Sequence, residues 1–293
     1  MINSPPPFSF ETTFNLLSDQ ISHDVIPKTV ESKVIQAYGQ DHWGALPIFA
    51  GNFINFGYWE GINIHKTISL KERIQSSLTL YLKLAEKLQI EPKETIAEAG
   101  CGTGIGTLKL AKHYSPQCII GLDITPSQIQ KARYLLTQLS SLDSKIRFYC
   151  RSVMHTGLPT GSISKIISVE ALQHFSSVGL FVREAKRILK KGGRLGITTF
   201  FATSHFEEQR AGALLPLVKE KIENAHSIGQ LVQCLHDYNF KDIEITSIGK
   251  QVFPGFEQWI TQIKENVPPV SYTLFKAFQE KCIDYYQVTA TSG

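Results

Sequence analysis

Three acids, one histidine and a run of glycines carry the chemistry for which this sequence can be read. The run is Glu98-Ala99-Gly100-Cys101-Gly102-Thr103-Gly104. Ile96-Ala97 before it belong to an apolar strand pattern, and Leu108, Leu110 and Ala111 after it open a helical one. A strand-turn-helix of this kind aims backbone N–H groups and a positive helix end at one spot, which suits an anionic group. Glycine lets a ligand lie on the backbone with no Cβ in the way, and Cys101 keeps the turn small. Asp123 closes the next apolar run, and Glu170 and His174 follow the one at 165–169. Histidine titrates near neutrality, so His174 is the best-placed base for taking a proton. A histidine at a helix end satisfied by a backbone carbonyl is the plainer alternative. His155, His205 and His226 stand near other loops; His155 follows the third strand, and surface exposure suits the other two.

Strands and helices must alternate to bring these groups together. The pattern predicts strands near 95–99, 117–123, 145–150, 165–169, 194–201, 242–248 and 285–291. Between them it predicts helices at 69–88, 107–114, 178–191, 227–239, 256–265 and 272–281, with a further helix opening at Thr125-Pro126. Leu70, Ile74, Leu78, Leu82 and Leu88 mark the expected apolar face of the first. Thr125, Pro126 and Gln128 form a helix start, and Gly192-Gly193 reads as a helix stop. Residues 203–226 interrupt the alternation and read as an insertion over a pocket. A segment dense in Gly and aromatics at 41–61 reads as a structured loop that covers something. Phe53, Phe56 and Trp59 in it fit core packing. The fold class expected is α/β: a Rossmann-like, doubly wound, mostly parallel seven-stranded sheet with an N-terminal helical and aromatic cap. The cap would span 1–68 and the main domain 69–293. Gly100, Asp123, Ser152, Glu170 and Thr199 are expected to converge beyond successive strand ends, where open α/β sheets bind ligands.

The dinucleotide fingerprint G-x-G-x-x-G does not fit, because residue 107 is Thr and residue 105 is Ile. What stands is E-x-G-x-G-x-G, with Asp123 at the end of the next strand. In these features the chain resembles the class I S-adenosylmethionine (SAM) methyltransferases, over about residues 50–250. The resemblance implies SAM as cofactor and S-adenosylhomocysteine as product. It implies that Gly100, Cys101, Gly102 and Gly104 support the methionine part. Asp123 would hold the ribose hydroxyls beside Ile124, and Glu98 would bond inside the turn and reach the amino group. Tyr58, in the N-F-x-x-F-G-Y-W segment at 52–59, would reach the carboxylate end. Gln128 would contact the cofactor, although a capping role explains it equally well. Where the family commonly reads G-D-A after the third strand, this chain reads Arg151-Ser152-Val153. Ser152 and the Val153 N–H would then serve the adenine. Glu170 would bind SAM, touch substrate or cap the helix that follows. Ser164 stands for the usual acid before the fourth strand, Lys191 for a proline, and Thr199 for an aspartate that some sugar O-methyltransferases pair with the histidine.

Composition narrows the partners. Of 293 residues 42% are hydrophobic and 19% charged, the net charge is +4, and no run of five like charges occurs. No electrostatic footprint for nucleic acid is visible. Five widely spaced cysteines (101, 118, 150, 234 and 282) without C-x-x-C suggest neither a disulfide framework nor a metal site. No signal peptide or membrane span is visible, so a cytoplasmic protein is expected. The partner expected is a small, largely apolar acceptor methylated at oxygen or carbon; a homodimer is left open. Two alternatives remain: a cyclisation without methyl transfer on the same fold, and a non-catalytic SAM-binding protein.

Overall fold

The computed structural model describes residues 30–40, 47–138, 145–263 and 271–293. Readings placed on residues 1–29, on 41–46 and on Pro268-Pro269 lie outside the described residues. Seven strands form one sheet: β1 (Thr95–Ala99), β2 (Cys118–Asp123), β3 (Ile146–Cys150), β4 (Ile163–Val169), β5 (Leu189–Ala202), β6 (Phe240–Ser247) and β7 (Ile283–Ser292). Their order is β3-β2-β1-β4-β5-β7-β6. β1 to β5 are parallel, and β7 runs antiparallel between β5 and β6. The chain winds outward from β1 to β3 and then returns to β4, so the crevice between β1 and β4 is the switch point where such sheets take ligands.

The helices, in chain order, are α1 (Val30–Gln40), α2 (Leu70–Leu88), α3 (Ile105–Tyr114), α4 (Pro126–Thr137), α5 (Val178–Ile188), α6 (His205–Leu214), α7 (Pro216–Lys219), α8 (Ile228–Asp237), α9 (Gly249–Ile263) and α10 (Ser271–Gln279). One short 3₁₀ turn, Leu172–His174, follows β4. Because helices cover both faces, all five residues of β1 are buried. Ser69 opens α2 with a reciprocal capping box to Glu72. α2, α3, α4 and α9 share one apolar core, and α5 and α8 pack on the opposite face.

Four local expectations are corrected. The buried face of α2 runs through Arg73, Ser77, Leu80, Tyr81, Leu84 and Leu88, and Leu70 is 60% exposed. A strict four-residue spacing drifts around a helix of 3.6 residues per turn, so the leucine row leaves the core side. α5 stops at Ile188, and Leu189 enters β5 at once, paired with Ile163. Gly192-Gly193 therefore lie in a register shift within the strand; a Cβ on Gly193 would meet the Lys190 and Ser164 carbonyls at 2.9 and 3.0 Å. Thr125 makes no side-chain cap, and Gln128 is buried elsewhere. α9 begins at Gly249, well before the expected Phe256, and tolerates Pro254 within it.

The insertion is pinned at its base. Ala202 and Ser227 form a parallel bridge, so residues 203–226 leave and rejoin the sheet at one place. Among the described residues no helix is long and apolar enough to cross a membrane, and no cluster of three metal-ligating side chains occurs. All five cysteines are free.

Candidate functional site

A cavity of about 870 Å³, solvent at its mouth included, lies over the switch point. Gly100, Cys101, Gly102, Asp123, Ile124, Gln128, Ser152, Val153, Glu170 and His174 line it, together with residues from α1 and α2. They arrive from the ends of β1, β2, β3 and β4 because parallel strands deliver their C-terminal ends to one edge.

The three turn glycines serve three purposes. All have positive φ: 78° at Gly100, 51° at Gly102 and 78° at Gly104. A Cβ on Gly100 would meet the Ala171 Cβ at 2.2 Å, and one on Gly104 would meet Ala132 and Phe148 at 2.7 Å. A Cβ on Gly102 would meet nothing within 4 Å. Only Gly102 thus offers bare backbone to the cavity. Gly104 packs α3 against its neighbours and does not line the wall.

The N–H groups of the turn are more occupied than the sequence suggested. Those of Gly100 and Cys101 donate to the Leu122 carbonyl, and that of Gly102 donates to Asp123 Oδ2 at 2.9 Å. The turn completes the β1–β2 pairing before it serves a ligand. Thr103 and Ile105, the first residue of α3, line the cavity, and the N–H groups of that first turn have no intrahelical partner. Asp123 also accepts from the Thr125 N–H at 2.8 Å. Burial raises its carboxyl, and the donated backbone bonds pull it back.

At the β3 end, Ile124, Val153 and Met154 give apolar walls. The Ser152 hydroxyl there donates to Glu31 Oε1 at 3.1 Å. Glu31 comes from α1, so a carboxylate from a distant segment stands where the β3 turn has none. Gln128 Nε2 donates to the Tyr38 carbonyl at 2.9 Å, and its buried Oε1 has no partner. The open side of Gly102 and the bonded Asp123 carboxylate fit a ligand with donor groups, as SAM has in its amine and hydroxyls.

His174 is half-buried at the end of the 3₁₀ turn. Its Nδ1 lies 3.1 Å from the Ile222 carbonyl, which can only accept, so the proton sits on Nδ1. Its Nε2 then accepts from the Tyr38 hydroxyl at 3.0 Å. Burial lowers the imidazole to about 4, and the bond to Ile222 opposes this in part. The ring is neutral at pH 7 with its lone pair directed to Tyr38. α1 is held by these contacts and by Lys33, whose Nζ donates to the Glu220 carbonyl at 2.8 Å.

Glu170 has φ 46°, a left-handed backbone that a residue with a Cβ adopts at a cost. Its Oε1 accepts from the Phe56 N–H and the Tyr285 hydroxyl, both at 2.7 Å. Burial raises it to about 8, against those bonds and the Arg73 charge. Glu170 stands where the cavity meets a second, smaller chamber; Tyr38 and Ile54 also line both. Arg73 is fully buried and donates to the Ile48 and Asn55 carbonyls, fastening the aromatic loop to α2.

Besides Gly104, three expected residues lie off the wall. Tyr58 is packed with its hydroxyl donating to Glu60 at 3.1 Å; its backbone N–H is held by the Ser76 carbonyl, which turns the ring away. Glu98 is fully buried behind the turn, accepting from the Thr107 hydroxyl, with Tyr81 beside it. Burial raises it to about 7, and Oε1 has no hydrogen-bond partner. Thr199 donates to Gln173 Oε1 at 2.7 Å; β5 runs on to Ala202, so Thr199 is not at a strand end. His155 and His205 are exposed, and His226 is bonded to the Phe175 carbonyl.

Sequence reasoning missed Glu31, Tyr38, Tyr81 and Glu223. Tyr81 sits on the buried face of α2, where a tyrosine reads as core. Glu223 lies in a segment without period. No local pattern distinguishes them; only the tertiary fold brings them to the site.

Known proteins resemble the chain over the strands that frame this cavity. A family profile described as "Methyltransferase domain" matches residues 97–197, from β1 into β5. The 2-methyl-6-phytyl-1,4-hydroquinone methyltransferase of Synechocystis sp. is 30% identical over 168 residues, 55% of this chain and 49% of that one. The chain thus spans about half the length of that relative. The erythromycin 3''-O-methyltransferase of Saccharopolyspora erythraea is 25% identical over 254 residues, 82% of this chain and 78% of that one. In fold, the chain is similar to geranyl diphosphate C-methyltransferase from Streptomyces coelicolor A3(2), solved with S-adenosyl-L-homocysteine. The TM-score is 0.78 at 14% identity, covering 92% of this chain and all of that one.

Proposed function

We propose that the chain is a class I SAM-dependent methyltransferase and that it methylates a small, largely apolar acceptor at oxygen or carbon. The observation that carries this reading is the pair of adjoining chambers, which share Tyr38, Ile54 and Glu170. The larger has the polar fittings of a cofactor site, and the smaller has apolar walls. The similarity to enzymes named for a phytyl hydroquinone and for erythromycin supports an acceptor of specialised biosynthesis.

SAM, when bound, supplies an activated methyl group on a sulfonium. Asp123 holds the hydroxyls, with Gly102 and Thr125 fixing its carboxylate. Ser152, Val153 and Ile124 take the adenine, with Glu31 closing the edge. Glu98 and Gly104 act from behind, by holding the turn in shape. The described residues 30–40 and 47–68 act as a cap on the cofactor domain that begins at 69. Enclosure keeps water out and lines up the reacting atoms.

An acceptor hydroxyl must lose a proton as it gains the methyl. Tyr38 can take that proton while passing its own to His174 Nε2, leaving an imidazolium. The proton then rests on His174, and SAM, when bound, would supply only the methyl group. Incubation with methyl-labelled SAM and a panel of lipophilic quinols, phenols and macrolides, followed by mass spectrometry, tests the reading. Label in the acceptor supports it. An acceptor isomerised without label would establish the cyclisation instead.

A further inference from the structure

The second chamber is walled by Ile48, Phe49, Phe56, Leu217, Phe256 and Leu274, yet two carboxyl groups stand in it. Glu170 is partnered. Glu223 is 8% exposed, and among the described residues its carboxyl makes no hydrogen bond and no ion pair. A buried carboxyl carries a desolvation penalty, and among the described residues no donor offsets it. A molecule filling the chamber can supply that donor.

Glu223 is also held in place. On one side, the Ile222 carbonyl accepts from His174 Nδ1. On the other, the Asn224 backbone N–H donates to the Gln173 carbonyl at 2.7 Å, and its side chain donates to the Gln173 and Phe175 carbonyls. Both neighbours are thus tied to the turn that carries His174. A molecule docked on Glu223 is thereby placed relative to His174 and Tyr38.

We propose that Glu223 is the docking group for the acceptor, and that the acceptor is an apolar molecule bearing a hydroxyl that bonds to this carboxyl. The proposal rests on reading the larger chamber as the cofactor's. Burial and the nearby Glu170 charge raise Glu223 to about 8, so at neutral pH it is mostly the uncharged acid. An uncharged carboxyl both donates and accepts, which matches a hydroxyl and not an ammonium. Arg73, whose charge acts on Glu170, and the Tyr38 hydroxyl complete the ionisable surroundings.

The test uses full-length protein saturated with S-adenosylhomocysteine and three probes of one shape: naphthalene, 2-naphthol and cationic 2-(aminomethyl)naphthalene. Dissociation constants are read by fluorescence titration at pH 7. The expected order is 2-naphthol at least roughly tenfold tighter than naphthalene, with the cation weakest; tenfold is the scale of one buried hydrogen bond. Glu223→Leu should erase the preference for the hydroxyl and keep naphthalene binding. Glu223→Gln, which still donates and accepts, should keep most of the preference. A preference that survives Glu223→Leu overturns the proposal, as does a cation that binds tightest, or the absence of binding by both neutral probes. If Glu223→Leu does not fold, loss of the preference in Glu223→Gln overturns it. Affinity for S-adenosylhomocysteine is measured separately. Its absence in the unsubstituted protein would fell the cofactor reading while the naphthol preference still tested Glu223.

Discussion

The two chambers are built by different means. The larger is made at strand ends, and its shape is set by backbone: the turn at 100–104, the N–H groups on Asp123 and the bare side of Gly102. The smaller is made by side chains from the aromatic loop, the insertion, α9 and α10. The first needs short sequence motifs, because a backbone shape is encoded within a few residues. The second needs only that distant apolar segments meet, so its chemistry rests on single buried groups such as Glu170 and Glu223. A cofactor common to many enzymes suits the first construction, and an acceptor particular to one suits the second.

The largest expected effect probes the boundary between the chambers. Replacing His174 by Ala should lower turnover roughly 10²- to 10⁴-fold, the usual worth of a general base. Affinity for S-adenosylhomocysteine should stay within about threefold, since the cofactor is held by Asp123 and its neighbours. Equal loss of both in steady-state kinetics and calorimetry would make His174 a structural residue of the larger chamber.

The glycines sharpen the backbone side of the contrast. Gly102→Val should weaken S-adenosylhomocysteine binding roughly 100-fold, about 2.7 kcal/mol, by filling the open side of the turn, and should cost some stability through strain at its positive φ. Gly104→Val should destabilise the fold more, by about 2–4 kcal/mol, because overlap with Ala132 and Phe148 adds to the same strain. Calorimetry and thermal unfolding on both variants separate the roles; a stable Gly104→Val would contradict the packing account.

The buried acids predict a pH dependence to which Glu98 behind the turn, raised to about 7, contributes, and to which the two acids of the smaller chamber contribute most. Glu170 and Glu223 are each raised to about 8, above their unfolded values. The unfolded chain releases these protons first as pH rises, so their contribution to stability is full at low pH and is lost towards pH 8. Between pH 5 and 8 the protein should lose on the order of a few kcal/mol, and Glu223→Gln should recover part of it. Denaturant midpoints at the two pH values measure this. His174, lowered to about 4, works in the opposite sense below pH 6.5, where its unfolded form takes up protons.

The smallest effect concerns Glu31. Glu31→Gln should weaken S-adenosylhomocysteine by about threefold to tenfold, the worth of one partly exposed hydrogen bond. It should do less to the inosine analogue, whose ring presents an oxygen in place of the adenine amino group. Equal losses on both ligands would remove Glu31 from the adenine edge.

The sequence-to-structure comparison follows the same division. The sheet, its five parallel strands and the cavity residues from Gly100 to Glu170 were readable, because glycine turns, apolar strands and strand-end acids are local signals. The α2 face was misread because a leucine row competed with a buried Arg73 that no hydropathy pattern expects. The motif assigns Tyr58 to the cofactor, but the loop is fastened by Arg73 and Ser76, and Tyr58 does not line the cavity. Tyr38, Glu31 and Glu223 reach the site only through tertiary packing, and neither period nor spacing marks them.

Calorimetric titration with S-adenosylhomocysteine, on the unsubstituted protein and on Asp123→Ala, tests the central claim most directly. Micromolar, one-to-one binding that falls at least roughly 50-fold in Asp123→Ala is the predicted result, since that carboxylate bonds the ligand's hydroxyls within the larger chamber. Binding unaltered by the substitution, or no binding to the unsubstituted protein, would contradict it.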